Sequence, residues 1–299
     1  MKLRSLLAFV AAAALSAEAE SAIMQDLAGH LNNNDFAGAA NVVANYRRVR
    51  GVAPDLLEAM SWMGRAELAR KNVPGAEKYA QETYRLSVAE TKKHPLGKDP
   101  NAPLALALGA AIEVQAEAMA LKGERTDAVT YLNGELSKFK ATSIQPRIQK
   151  NINLLSLEGK PAPALQGAAL PAGKTALLFF WAHWCPDCKA EAAILKQLRS
   201  EFAAKGLVLI APTQRYGYVA NGDDATPAIE NRYIDEVRQR FYPGLIEGPL
   251  VINQQNFQIY GVSTTPTLVL VDKKGTVRMY HPGAMSYPEL RARIVAALS

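Results

Sequence analysis

Cysteine is scarce. The 299-residue chain has two, Cys185 and Cys188, three positions apart. A disulfide framework uses more cysteines, spaced to close long loops. A bridge this short constrains little chain, so stabilisation is a poor reason for it. Histidine is sparse as well: His30, His94, His183 and His281 are scattered, and there is no second C-x-x-C. The four-ligand cage of a structural zinc is therefore not assembled, and no metal site is expected. Long basic runs are absent. Net charge is +6, but Lys and Arg are interleaved with Asp and Glu, as in Tyr46-Arg47-Arg48-Val49, which reads as a solvated helix face. The electrostatic stripe of a nucleic-acid binder is missing. With 49% hydrophobic and 21% charged residues the composition is globular, which excludes a disordered chain.

The first residues read as an export signal, residues 1–19. Lys2 and Arg4 make a positive n-region, residues 6–15 are an apolar stretch too short to span a bilayer, and Ala17-Glu18-Ala19 is a small-x-small cleavage site. The chain is expected to be exported, and periplasmic if bacterial. No later segment reads as a membrane span.

Residues 20–154 read as an all-α domain of helical hairpins. Apolar residues recur at helical spacing, as in Leu56, Met60, Met63 and Ala66. Turn residues interrupt them at Asn32-Asn33-Asn34-Asp35, Asn72-Val73-Pro74-Gly75 and Lys122-Gly123-Glu124-Arg125. A small residue follows each break: Gly38, Ala76 and Ala128. With Gly64 these spacings resemble the tetratricopeptide repeat. The step from Ala76 to Ala128 is too long for it, interrupted at His94-Pro95-Leu96-Gly97-Lys98-Asp99-Pro100, and an irregular bundle fits equally. The region carries no catalytic constellation. It is expected to bind a protein partner or a second copy of itself.

Residues 155–299 change period. After a linker rich in Pro, Gly and small residues, Leu177-Leu178-Phe179-Phe180-Trp181 is a continuous apolar run, as in a strand buried on both faces. Ile194, Leu198 and Phe202 mark a helix that stops at Lys205-Gly206. Residues 207–210 read as a second strand and residues 229–241 as helix. Two more strands, 267–271 and 276–280, flank the turn Asp272-Lys273-Lys274-Gly275, and a helix closes the chain over 287–298. The order describes an α/β sandwich.

Cys185 and Cys188 lie between the first strand and the following helix. A thiolate is the nucleophile of disulfide exchange, and a free thiol near pKa 8.5 is mostly protonated at neutral pH. A helix N-terminus beside Cys185 lowers that pKa through its unsatisfied N–H groups and dipole. Cys188 is close enough to resolve a mixed disulfide, and Pro186 near the first helical position costs no hydrogen bond.

Trp181-Ala182-His183-Trp184-Cys185-Pro186-Asp187-Cys188 resembles the active site of the thioredoxin superfamily. Gly261-Val262-Ser263-Thr264-Thr265-Pro266-Thr267 resembles its second signature. The resemblance implies a thioredoxin-like α/β domain with a central mixed sheet and a redox-active Cys185–Cys188 disulfide, with no other cofactor. It implies that Pro266 is cis and faces the cysteines, and that Thr265 pairs its backbone with a bound substrate strand. The resemblance also implies that Gly283 keeps the substrate groove open and that Trp184 and Pro186 border it. Leu157-Glu158-Gly159-Lys160-Pro161-Ala162-Pro163 and the stretch 211–260 resemble the TlpA/ResA-like branch. Glu191 matches a buried carboxylate of that branch, which makes it a candidate proton carrier. One departure is Phe179, which stands where cytoplasmic thioredoxins carry a buried acid.

The implied function is an extracytoplasmic thiol–disulfide oxidoreductase acting on protein disulfides and supplied by a membrane or soluble thiol donor. Asp187 between the cysteines cannot donate to a thiolate and repels it, which favours a reductase or relay over an oxidant. A thiol chaperone delivering Cu(I), aided by Met279, His281 and Met285, is an alternative. A repeat-based adaptor with a secondary redox domain is another. A peroxidase fits less well, because Ala182 stands where peroxiredoxins place a threonine.

Overall fold

The computed structural model describes residues 22–299; the export signal read in residues 1–19 lies outside them. The chain divides into two compact units, one up to Ile148 and one over Gln149–Ser299.

The first unit is helical: α1 (Ala22–Asn32), α2 (Phe36–Arg50), α3 (Pro54–Ala69), α4 (Val73–Thr91), α5 (Pro103–Leu121) and α6 (Arg125–Lys138), with α7 (Gln145–Ser156) running past the division. The turn residues at the breaks cap the helices. Asp35 accepts the Gly38 N–H at 2.8 Å, and Asn72 accepts the Gly75 N–H at 3.4 Å; each satisfies an N–H that the first turn leaves without a partner. Three-residue connections join α1 to α2, α3 to α4 and α5 to α6, and the partners of each pair pack together, as helical hairpins do. At Gly64 on α3 an added Cβ would stand 3.4 Å from Tyr79 Cβ and 3.7 Å from a Val114 side-chain carbon. The small residue thus brings α3 against both α4 and α5. Leu27, Leu56, Leu57, Met60 and Met63 fill one core of this unit.

Contrary to the sequence reading, one segment among the described residues is long and apolar enough by composition to cross a membrane: α5. Leu104, Leu108, Ile112 and Val114 are buried along it. Its apolarity is that of a helix enclosed by neighbours on most sides.

The second unit holds a four-stranded sheet in the order β2-β1-β5-β6. The strands are β1 (Thr175–Phe180), β2 (Leu207–Ile210), β5 (Thr267–Val271) and β6 (Val277–Pro282). β1 runs parallel to β2 and antiparallel to β5, and β6 is antiparallel to β5, so the sheet is mixed, as expected. The period-two alternation of β1 divides its side chains between two cores. Leu177 and Phe179 pack with Leu195, Leu198 and Phe202 of α8 (Pro186–Phe202) and with Leu290 and Ile294 of α11 (Tyr287–Leu298). Ala176, Leu178 and Phe180 pack on the other face with Phe257, Tyr260 and Val262. Both faces are covered, which is why β1 reads as unbroken apolar sequence.

The stretch between β2 and β5 carries its own pair of short parallel strands, β3 (Pro212–Thr213) and β4 (Val251–Ile252), with α9 (Pro227–Phe241) between them and α10 (Gln254–Ile259) after them. It is knitted to the end of β1. Trp181 donates its backbone N–H to Pro212 O at 3.1 Å and its indole N–H to Ala211 O at 3.2 Å, and the Thr213 hydroxyl donates to Trp181 O at 2.8 Å.

Candidate active site

The strand β1 ends at Phe180, and a tight turn, closed by the Cys185 N–H to Ala182 O bond at 3.1 Å, delivers Cys185 to the N-cap of α8. Pro186 opens the helix, where a missing N–H is no loss. Cys185 and Cys188 form a disulfide with their Cα atoms 5.3 Å apart. The Cys185 sulfur accepts the Cys188 N–H at 3.0 Å. It therefore occupies the position of an N-cap oxygen, facing the positive end of the helix dipole. That arrangement stabilises a thiolate at Cys185 once the bridge is reduced.

A second loop meets this sulfur. The Thr265–Pro266 peptide is cis, and Thr265 O lies 3.4 Å from Cys185 Sγ. Gly283 donates its N–H to Pro266 O at 2.8 Å. Its φ of 102° lies where a side chain is strained, so glycine suits the site. Gly261, which starts the loop, has φ 60°, and a Cβ there would sit 2.3 Å from the Lys150 backbone nitrogen. No larger residue fits without moving backbone.

Glu191 is three residues beyond Cys188 on α8 and only 3% exposed. Its carboxylate accepts the Met285 N–H at 3.2 Å. Burial raises its pKa to about 7, with Asp187 adding in the same direction and the Met285 bond opposing. Phe179 is fully enclosed and meets Tyr242 edge-on, with ring centroids 5.9 Å apart; it offers no proton acceptor. Trp184 is 43% exposed beside Cys185, and Pro186 and Asp187 are exposed as well.

The sequence-derived residues Cys185, Cys188, Thr265, Pro266 and Gly283 are thus linked in one chain of contacts. Glu191 joins it through Met285, two residues beyond Gly283. Of Met279, His281 and Met285, the two methionines belong to one apolar core, Met279 buried in it with Leu268 and Leu270 and Met285 packed against it, and His281 Nε2 lies 3.4 Å from Ala284 O. Sequence reasoning missed His183 and Glu230. Both are 1% exposed, and His183 Nε2 lies 3.3 Å from Glu230 Oε1. A histidine inside the apolar run before Cys185 was the available signal. Its partner, 47 positions on, left none.

A mixed sheet with a disulfide at a helix N-terminus and a cis-proline loop against its first sulfur defines a thioredoxin-like thiol–disulfide oxidoreductase. Residues 164–298 match the family described as "Thioredoxin-like domain", and this half of the chain is such a domain. Three curated relatives agree. The thioredoxin-like protein YneN of Bacillus subtilis is 26% identical over 48% of this chain and 75% of its own length. The thiol:disulfide interchange protein DsbE of Yersinia pestis is 27% identical over 52% and 72%. The thiol-disulfide oxidoreductase ResA of Oceanobacillus iheyensis is 27% identical over 40% and 54%. The matched share of this chain is about half or less in each case.

Proposed function

We propose that the protein is an exported thiol–disulfide reductase or electron relay that exchanges disulfides with protein substrates. The observation that carries this is the Cys185 sulfur, set as the helix N-cap with Thr265 O at 3.4 Å. In the reduced protein the Cys185 thiolate attacks a substrate disulfide sulfur. One substrate thiolate leaves and a mixed disulfide forms. Cys188 then loses its proton and attacks Cys185 Sγ, releasing the second substrate thiolate. The Cys185–Cys188 bond stores the oxidation, and a dithiol donor reduces it again. The reductive direction is supported by Asp187, whose carboxylate accepts but does not donate and so disfavours the thiolate that a strong oxidant stabilises. Export is supported by the n-region, the short apolar stretch and Ala17-Glu18-Ala19. The helical unit serves as the platform for a protein partner or a second copy.

The test is a trap. Cys188→Ser leaves mixed disulfides on Cys185 unresolved, and mass spectrometry of the captured species identifies the clients. Adducts on Cys185 that vanish in the double variant Cys185→Ser/Cys188→Ser are the expected result. An absence of adducts in the single variant would remove the proposal.

A further inference from the structure

A carboxylate on α9, in the stretch between β2 and β5, reaches back to the turn that precedes Cys185. Glu230 lies in the first turn of α9. Its Oε1 accepts the Tyr216 N–H, its Oε2 accepts the Gly217 N–H at 3.0 Å, and Oε1 also lies 3.3 Å from His183 Nε2. A carboxylate only accepts, so the proton of the last contact sits on Nε2. His183 is two residues before Cys185 and is enclosed by aromatic rings. Tyr216, Tyr218 and Tyr233 meet its imidazole edge-on, with centroids 5.6, 5.4 and 5.3 Å away. Tyr216 in turn meets Trp184 edge-on at 5.4 Å. One buried acid therefore holds the backbone of an exposed loop, the imidazole of the redox turn and, through Tyr216, the exposed indole beside Cys185. An apolar side chain in its place would leave the Tyr216 and Gly217 N–H groups and His183 Nε2 without this acceptor.

Resting on the oxidoreductase reading, we propose that Glu230 is a positioning residue for the substrate. Through the Tyr216 and Gly217 amides and His183, it fixes Tyr216 against Trp184. The result is a rigid aromatic wall beside Cys185 that engages the polypeptide flanking a substrate disulfide. The two sulfurs and the Cys188 N–H are untouched by it, so a disulfide with no flanking polypeptide gains nothing from the wall. Rigid aromatic surfaces contribute contact area at low entropic cost.

The test compares insulin with bis(2-hydroxyethyl) disulfide as substrates of the full chain. Glu230→Ala should raise KM for insulin about tenfold, the loss of a single good contact, and leave kcat within about twofold. Turnover of the small disulfide should stay within about twofold of wild type. Glu230→Gln keeps an oxygen for Tyr216 and His183 but turns its NH2 toward the Gly217 N–H, so it should recover only part of the lost KM. Equal losses on both substrates, or none on either, would overturn the inference while leaving the oxidoreductase reading intact. A wild-type protein that turns over neither substrate would remove both. Should Glu230→Ala fail to fold, Tyr216→Leu, which removes the ring that meets Trp184 and leaves Glu230 in place, is read on the same two substrates. KM for insulin should rise while turnover of the small disulfide stays within about twofold of wild type, and equal effects on both substrates, or none on either, would overturn the proposal.

Discussion

Glu191 accepts the N–H of Met285 at 3.2 Å, which ties the helix carrying both cysteines to the loop after β6. The same contact holds a buried acid one helical turn from Cys188, at the step where Cys188 must lose a proton. With its pKa raised to about 7 by burial, Glu191 is suited to accept it near neutral pH.

Glu191→Gln should therefore slow resolution of the mixed disulfide by roughly 10²–10⁴-fold, the usual range for a positioned base. In the wild type this rate should rise as pH passes through about 7, where the carboxylate forms. The glutamine variant should lose that rise. Stability gives an independent reading. The folded protein keeps a proton on Glu191 between about 4.5 and about 7, while the unfolded chain has released it. Wild-type stability should thus fall relative to the glutamine variant as pH rises through this window, by on the order of 3 kcal/mol. Stopped-flow exchange and denaturant titrations at several pH values check both effects.

We propose that Asp187 favours the reductive direction. Replacing it with histidine supplies a donor for the Cys185 thiolate, stabilises the reduced form and makes the couple more oxidising. Asp187→His should raise the midpoint potential by about 30 mV or more, one decade in equilibrium constant. A potential unchanged against glutathione buffers would show that Asp187 does not tune the couple.

The helical unit should tolerate damage without loss of thiol chemistry. Leu57 is fully buried in its core, and Leu57→Ala should destabilise that unit by about 2–5 kcal/mol. Reduction of a small disulfide at temperatures where Gln149–Ser299 stays folded should be unchanged. A parallel loss of exchange rate would show that the two units act as one.

Much of the redox half was legible because its signals are local or doubled. The unbroken apolar run over β1 reports burial on both faces. The C-x-x-C has meaning because a strand precedes it and a helix follows. Thr265-Pro266 supplies a second, distant signature. The helical breaks were equally plain, since Asp35 and Asn72 act as caps at the positions where their residue types predict. The apolarity of α5 is masked in the sequence by its two glutamates, Glu113 and Glu117, which interrupt the apolar run. The His183–Glu230 pair was out of reach for a different reason. Hydrophobic periodicity marks an apolar stripe on α9, but Glu230 is a polar residue buried with it. Nothing in the order of residues states that an acid in that helix returns to a turn 47 positions earlier.

Everything proposed for this protein depends on Cys185 and Cys188 forming a working two-electron couple. The most direct measurement is alkylation of the two thiols after equilibration in dithiothreitol and glutathione buffers spanning strongly reducing to strongly oxidising conditions. One transition is expected, in which both thiols become available together, with no transition in Cys185→Ser. A pair that stays fully oxidised or fully reduced across the whole range, or disulfide turnover that persists in Cys185→Ser, would contradict it.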